Sequence, residues 1–98
     1  MTAGDPPPDG EAVAWWVYMV RTRSGRLYTG ITTDVERRFH EHRHDPRRGA
    51  RFFRSDAAEA VVFTEAAADR SAASRREAAI KKLTRREKLR LLALSDAE

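Results

Sequence analysis

WWVYMVRTRSGRLYTG, residues 15–30, sets two apolar runs on either side of a polar, glycine-bearing tip. It reads as two short strands joined by a tight turn, with one tyrosine on each strand. From Val13 to Val20 the apolar residues are continuous rather than alternating. A strand covered on both faces gives that pattern, so the first strand is expected at the centre of its sheet. Thr22-Arg23-Ser24-Gly25-Arg26 carries the turn, and Leu27 to Thr32 forms the second strand.

The register of this hairpin follows from turn chemistry. A two-residue loop at Ser24-Gly25 would pair Arg21 with Tyr28 and send Tyr18 and Tyr28 to opposite faces. A three-residue loop of Arg23, Ser24 and Gly25 pairs Val20 with Tyr28 and Tyr18 with Gly30, and both phenols then share a face. The longer loop puts Gly25 at its end, where a type I turn followed by a left-handed residue favours glycine. The three-residue register is therefore expected.

Outward from the hairpin, Thr33-Asp34-Val35-Glu36 reads as a capping box led by Thr33. The helix it starts should run to about His44 or Asp45 and end before Pro46. Val35, Phe39 and His42 supply its thin inward face. Residues 46–57 read as a basic loop with two adjacent aromatics, and Ala60 to Glu65 as a third strand. Asp69 or Ser71 can cap a second helix reaching about Leu83, with Ala73, Ile80 and Leu83 buried. Thr84-Arg85-Arg86-Glu87 is a second capping box, opening a third helix that buries Leu91, Leu92 and Leu94. The order is β-β-α-β-α-α, an α+β fold with a small, mostly antiparallel three-stranded sheet flanked by helices. Residues 1–11, with Pro6-Pro7-Pro8, read as a disordered leader, and 12–95 as a single domain.

The net charge is +4 and the isoelectric point about 10.1, which points to a polyanionic partner. Lysine occurs only at 81, 82 and 88, so arginine carries most of the charge. A GC-rich genome gives that bias as readily as selection does, although arginine's planar fork suits phosphate whatever its origin. With no cysteine, disulfides and thiolate metal sites are excluded. No apolar run approaches the roughly 18 residues of a membrane-spanning helix, and the N-terminus does not read as a secretory signal, so a cytoplasmic location is expected.

Tyr18 within Trp16-Val17-Tyr18, and Tyr28-Thr29-Gly30 with nine residues between the two, form an ordered pair of tripeptides. Arg38 lies ten residues after Tyr28, His42 one helical turn beyond it, and Glu77 in the second helix. In this set, from Trp15 to about Leu94, the chain resembles the GIY-YIG nuclease superfamily, especially its small stand-alone bacterial members. Trp16 and Val17 replace the glycine and isoleucine of the first tripeptide, and Thr29 the isoleucine of the second. Many members carry an asparagine near the end of the domain; this chain has none, which leaves one ligand- or water-positioning role unassigned.

The resemblance implies a metal-dependent endonuclease hydrolysing phosphodiester bonds, acting on DNA with low sequence specificity, in a setting such as DNA repair. Glu77 would ligate one divalent ion, Mg²⁺ or Mn²⁺; by residue type alone it reads as a surface ion pair with Arg76 or Lys81. Arg38 would hold the scissile phosphate through paired hydrogen bonds, with Arg37 beside it as a competitor. Tyr28 is the candidate general base or water-orienting group, with Tyr18 a second, orienting phenol. A free phenol has a pKa of about 10, so nearby positive charge would have to lower it. Both tyrosines could equally be ordinary strand residues with a hydroxyl at the sheet edge. His42 shares a helical face with Arg38 and could orient water or relay a proton. Gly30 lets backbone or substrate approach the sheet, or marks a bulge.

Arg47, Arg48, Arg51 and Arg54, interleaved with Phe52 and Phe53, could follow a phosphate backbone and stack on bases. At least one of the two phenylalanines is expected in the core instead. His40 and His44 lack a ligand spacing that would make a zinc site. A second reading keeps the scaffold and the charge but no catalysis, a nucleic-acid-binding module. For a protein-interaction domain there is no positive indication.

Overall fold

The computed structural model describes residues 14–45 and 47–96. Residues 1–13, which include the expected leader, fall outside that range. Three strands, β1 (Trp15–Thr22), β2 (Leu27–Thr32) and β3 (Ala58–Ala67), form one antiparallel sheet in the order β2-β1-β3. The helices are α1 (Val35–His44), α2 (Arg70–Lys81) and α3 (Arg85–Asp96), and a single 3-10 turn spans Arg51–Phe53. The expected element order holds, and β1 is central.

The hairpin has the three-residue register: Tyr18 faces Gly30 and Val20 faces Tyr28. Gly25 closes the loop at a φ of 97°, in the left-handed region that costs an L-residue strain. The Gly25 N–H donates to the Thr22 carbonyl at 2.9 Å and the Thr22 N–H to that of Arg26 at 2.9 Å. Around this tip the Asp56 carboxylate accepts from the Ser24 N–H and hydroxyl. Arg85, at the start of α3, donates to the Gly25 carbonyl at 3.0 Å. The tip is thus anchored from two distant parts of the chain.

Because β1 is covered on both sides, its run of Val17, Tyr18, Met19 and Val20 is almost wholly buried. One face packs Val17, Met19 and Phe63 against Ala73 and Ile80 of α2, with Leu91 and Leu92 of α3 at the margin. The other face packs Tyr18, Val20 and Ala58 against Phe53, with Val35, Phe39, Tyr28 and Phe52 around them. Two register shifts in the β1–β3 pairing, between Met19 and Val20 and between Arg21 and Thr22, interrupt strict alternation on β3. One of them lets neighbours Val62 and Phe63 both reach the α2 face.

Several boundaries differ from those expected. α1 is capped by Asp34, not Thr33: its carboxylate accepts the Arg37 N–H at 3.0 Å, while the Thr32 hydroxyl accepts the Asp34 N–H at 3.1 Å. A charged cap also answers the helix dipole, which a threonine does not. β1 runs two residues past Val20, and β3 extends beyond Ala60–Glu65 at both ends. α2 begins after the cap Asp69 and stops at Lys81, leaving Leu83 half-buried in the link to α3. The Thr84–Glu87 capping box forms in full, with reciprocal bonds of 2.9 and 3.1 Å. Leu94 is 65% exposed rather than buried, since α3 turns that residue past the end of the apolar face.

Candidate active site

The sheet face that carries Tyr18 and Tyr28 meets the C-terminal half of α1. Tyr18 Oη lies 2.7 Å from His42 Nε2, a buried contact between residues 24 apart in the chain. The Ala50 N–H donates to His42 Nδ1 at 3.2 Å. An imidazole accepting at Nδ1 carries its single proton at Nε2, so in the neutral ring Nε2–H donates and the phenol oxygen accepts. The Tyr18 hydrogen is then free to donate elsewhere.

Ala50 reaches His42 because the loop after α1 folds back sharply. Asp45 directs this: its carboxylate accepts the N–H groups of Arg47 at 3.0 Å and Arg48 at 3.1 Å, and its carbonyl that of Gly49 at 2.7 Å. Those N–H groups, Arg48's first, hold the Asp45 carboxyl below its usual pKa. Gly49 is needed for the approach. A Cβ there would stand 2.7 Å from the Glu41 carbonyl oxygen and 2.8 Å from that of Asp45.

Tyr28 sits among aromatic rings. Its centroid lies 5.2 Å from His42, 4.9 Å from Phe53 and 5.3 Å from Phe52, the first two edge-on. Tyr18 is 6.4 Å away on the same face. Three neighbours thus fix the Tyr28 ring, and with it the direction of its hydroxyl. Gly30 completes the packing: a Cβ there would fall 2.6 Å from Tyr18 Oη. The glycine is required because a phenol already occupies the space above it.

Electrostatics tie further residues to this cluster. Burial first, then Tyr28, pushes the Tyr18 pKa well above that of a free phenol; Arg38 pulls it back and Glu77 adds to the rise. Burial, reinforced by the Arg38 charge, lowers His42 to about 4, so the ring is neutral near pH 7. Arg38 Nη1 is held by Glu41 at 2.9 Å and by the Arg48 carbonyl. Glu77 is half-buried and pairs with Lys81 at 3.2 Å, while Arg76 pairs instead with Glu65 at 2.8 Å. Among the described residues no three His, Cys, Asp or Glu side chains gather as a metal cage.

Tyr18, Tyr28, Gly30 and His42 are therefore in direct contact, and Arg38 and Glu77 act on the same phenol. Arg37, Arg47, Arg48, Arg51 and Arg54 are all exposed, on α1 and on the loop that follows it. Of these, Arg48 stands 3.8 Å from Asp45. Phe53 is buried in the core and Phe52 is half-buried beside Tyr28. The sequence reading missed Asp45, Gly49 and Ala50. The only sign of them was an aspartate and a glycine bracketing a proline- and arginine-rich loop, which marks a turn but not what the turn touches.

The chain is similar to known proteins over most of its length. The GIY-YIG catalytic domain matches residues 14–90. The UPF0213 protein YhbQ of Escherichia coli K12 is 46% identical over 79 residues, covering 81% of this chain and 77% of that one. A UPF0213 protein of Klebsiella pneumoniae is 44% identical over 89 residues, covering 91% and 82%. The solution structure of the UPF0213 protein BH0048 from Bacillus halodurans superposes with a TM-score of 0.53 at 36% identity, covering 83% and 84%. No helix among the described residues is long and apolar enough to cross a membrane.

Proposed function

The chain belongs to the GIY-YIG family, and from this and the grouping of its side chains we propose that it is a metal-dependent endonuclease. Its substrate is the phosphodiester backbone of nucleic acid, with DNA the expected polymer. One observation carries this reading: on one sheet face Tyr18 Oη lies 2.7 Å from His42 Nε2 of α1, and the Tyr28 ring of β2 packs 5.2 Å from the same imidazole. Arg38 of α1 and Glu77 of α2 both act electrostatically on that Tyr18 phenol, and a phenol, a guanidinium and a carboxylate are the set that phosphodiester hydrolysis calls for.

Hydrolysis needs an activated water, neutralised phosphate charge and help for the leaving oxygen. Tyr28, half-exposed and fixed by its aromatic neighbours, orients the water or removes its proton. Arg38 binds the phosphate with the donors left over from Glu41 and Arg48, already pre-aimed by those two bonds. Tyr18 keeps its proton, because burial disfavours the phenolate. As it accepts from His42, it serves as a neutral donor and not as a base. His42, with both ring nitrogens occupied and only 5% exposed, is a positioning residue for Tyr18 and not a group that meets water.

The residues present fit a hard divalent ion. Mg²⁺ is commonly held by one or two carboxylates, with water and phosphate oxygens filling its remaining positions. Glu77 offers one such carboxylate, opposed only by Lys81 among the described side chains. When bound, the ion supplies charge neutralisation at the phosphate and the leaving oxygen.

The test is nicking of supercoiled plasmid in Mg²⁺ or Mn²⁺ by the wild type, Glu77→Ala and Arg38→Ala. Nicking by wild type alone is expected. A wild type that never nicks, or variants that cut equally well, sink the catalytic reading. Binding that persists and weakens with salt would then mark a non-catalytic module.

A further inference from the structure

Arg26 immediately precedes β2 and stands two residues before Tyr28. Its guanidinium carbon lies 4.2 Å from the centre of the Phe52 ring. The same ring lies 5.3 Å from that of Tyr28, so Phe52 bridges the two side chains. On its other flank Arg26 stands 3.9 Å from the Asp56 carboxylate, too far for a hydrogen bond. Asp56 is already committed to the N–H and hydroxyl of Ser24. Among the described residues the Arg26 side chain donates no hydrogen bond, and it is 58% exposed.

This differs from Arg38, which spends Nη1 on Glu41 and Arg48. Arg26 is a cation held over an aromatic ring, with its donor fork free of hydrogen bonds among the described residues. Apart from the Asp56 carboxylate at 3.9 Å, no described group engages that fork, and Arg26 sits beside the aromatic cluster of the tyrosine-bearing face. Such a stacked arginine loses little further freedom when it grips an oxyanion.

We propose that Arg26, stacked on Phe52, binds a backbone phosphate of the strand being cut, next to the phosphate that Tyr28 and Arg38 address. Two residues of strand span roughly 7 Å, and a nucleic-acid strand rises about 3.4 Å per nucleotide. The second phosphate therefore lies one or two nucleotides along. This subsite rests on the nuclease reading, since it runs the polymer along β2 past Tyr28.

Fluorescence anisotropy tests it, using a fluorescein-labelled oligonucleotide, single-stranded and as a duplex, in EDTA over a series of NaCl concentrations. Arg26→Ala should flatten the slope of log affinity against log salt by about 0.7 on the single strand and about 0.9 on the duplex. Arg86→Ala, which removes an exposed arginine of α3, should not flatten it to that extent. Arg26→Lys should keep the slope but bind more weakly, because the charge survives and the fork does not. Phe52→Leu should weaken binding roughly two- to fivefold with the charge intact. Thermal melts of each variant separate loss of binding from loss of fold.

Wild-type binding with an unchanged slope in Arg26→Ala overturns the subsite and leaves the nuclease reading standing. Equal flattening in Arg86→Ala overturns it too, since a general field would then account for the effect. Wild-type affinity in Arg26→Lys or Phe52→Leu removes the fork or the stack, respectively. A wild type that binds neither oligonucleotide overturns the nuclease reading and the subsite with it.

Discussion

Tyr18 Oη and His42 Nε2 stand 2.7 Å apart inside the fold, and the Ala50 N–H on Nδ1 sets the direction of the bond between them. The ¹⁵N spectrum of His42 should show the tautomer protonated at Nε2. Protonation at Nδ1 would reverse the bond and return His42 to the part of a proton acceptor. Tyr18→Phe keeps the ring but strands Nε2–H without a partner, at a cost of about 1–3 kcal/mol. The urea midpoint reads this cost, and a midpoint equal to wild type would mean that the bond contributes nothing net.

Acid should weaken the protein through His42. The ring is held at about 4 in the fold, against about 6.5 for a free histidine, so the unfolded chain binds the proton more readily between those values. Its contribution is whole above pH ~6.5 and is lost as pH falls towards ~4, a loss on the order of 3 kcal/mol. Arg38 and Glu41 both act on the ring, the first lowering its pKa and the second raising it. Urea unfolding of wild type and His42→Gln at neutral and mildly acidic pH measures this. If the variant loses as much stability as wild type over that window, another group carries the dependence.

The hairpin was legible because its constraints are local. Continuous apolar residues fix β1 as central, and Gly25 selects the odd loop that brings the phenols together. Caps were legible where two residues reciprocate, as Thr84 and Glu87 do, and ambiguous where two candidates adjoin, as Thr33 and Asp34 do. Leu94 misled because periodicity says which residues share a helical stripe, not where the sheet beneath that stripe ends. The link from Ala50 through His42 to Tyr18 was illegible for a different reason. It joins a backbone N–H in an irregular loop to a side chain, and no residue type records that. The family resemblance brought His42 and Tyr18 to notice, but only the fold shows which of them donates.

Glycines 30 and 49 are expected to fail under even the smallest addition. Gly30→Ala would place Cβ 2.6 Å from Tyr18 Oη and 2.8 Å from Cζ, against a ring that burial and His42 hold in place. Gly49→Ala would press on the backbone carbonyls of Glu41 in α1 and of Asp45 just after it, which cannot rotate aside as a side chain can. Each should cost about 1–3 kcal/mol as an overpacked site. Gly49→Ala should also shift the His42 ¹⁵N resonances by loosening the Ala50 bond. A stable Gly49→Ala with unchanged His42 signals would show that the loop docks without it.

Thr29 should be improvable. It is 3% exposed, and its Oγ1 is the only buried side-chain oxygen or nitrogen without a partner among the described residues. It pairs across the hairpin with Met19 and shares the face that packs on α2, the opposite side of the sheet from Tyr28. As a strand residue Thr29 is a mild replacement for isoleucine; as a buried one it desolvates a hydroxyl for nothing in return. Thr29→Val keeps the branched shape and removes that group, so it should stabilise the fold by about 1–2 kcal/mol. The urea midpoint should rise with the slope of the transition unchanged, and plasmid nicking should be unaffected. A lower midpoint would mean that the hydroxyl has a partner in solution, with a water molecule the natural candidate at so enclosed a position.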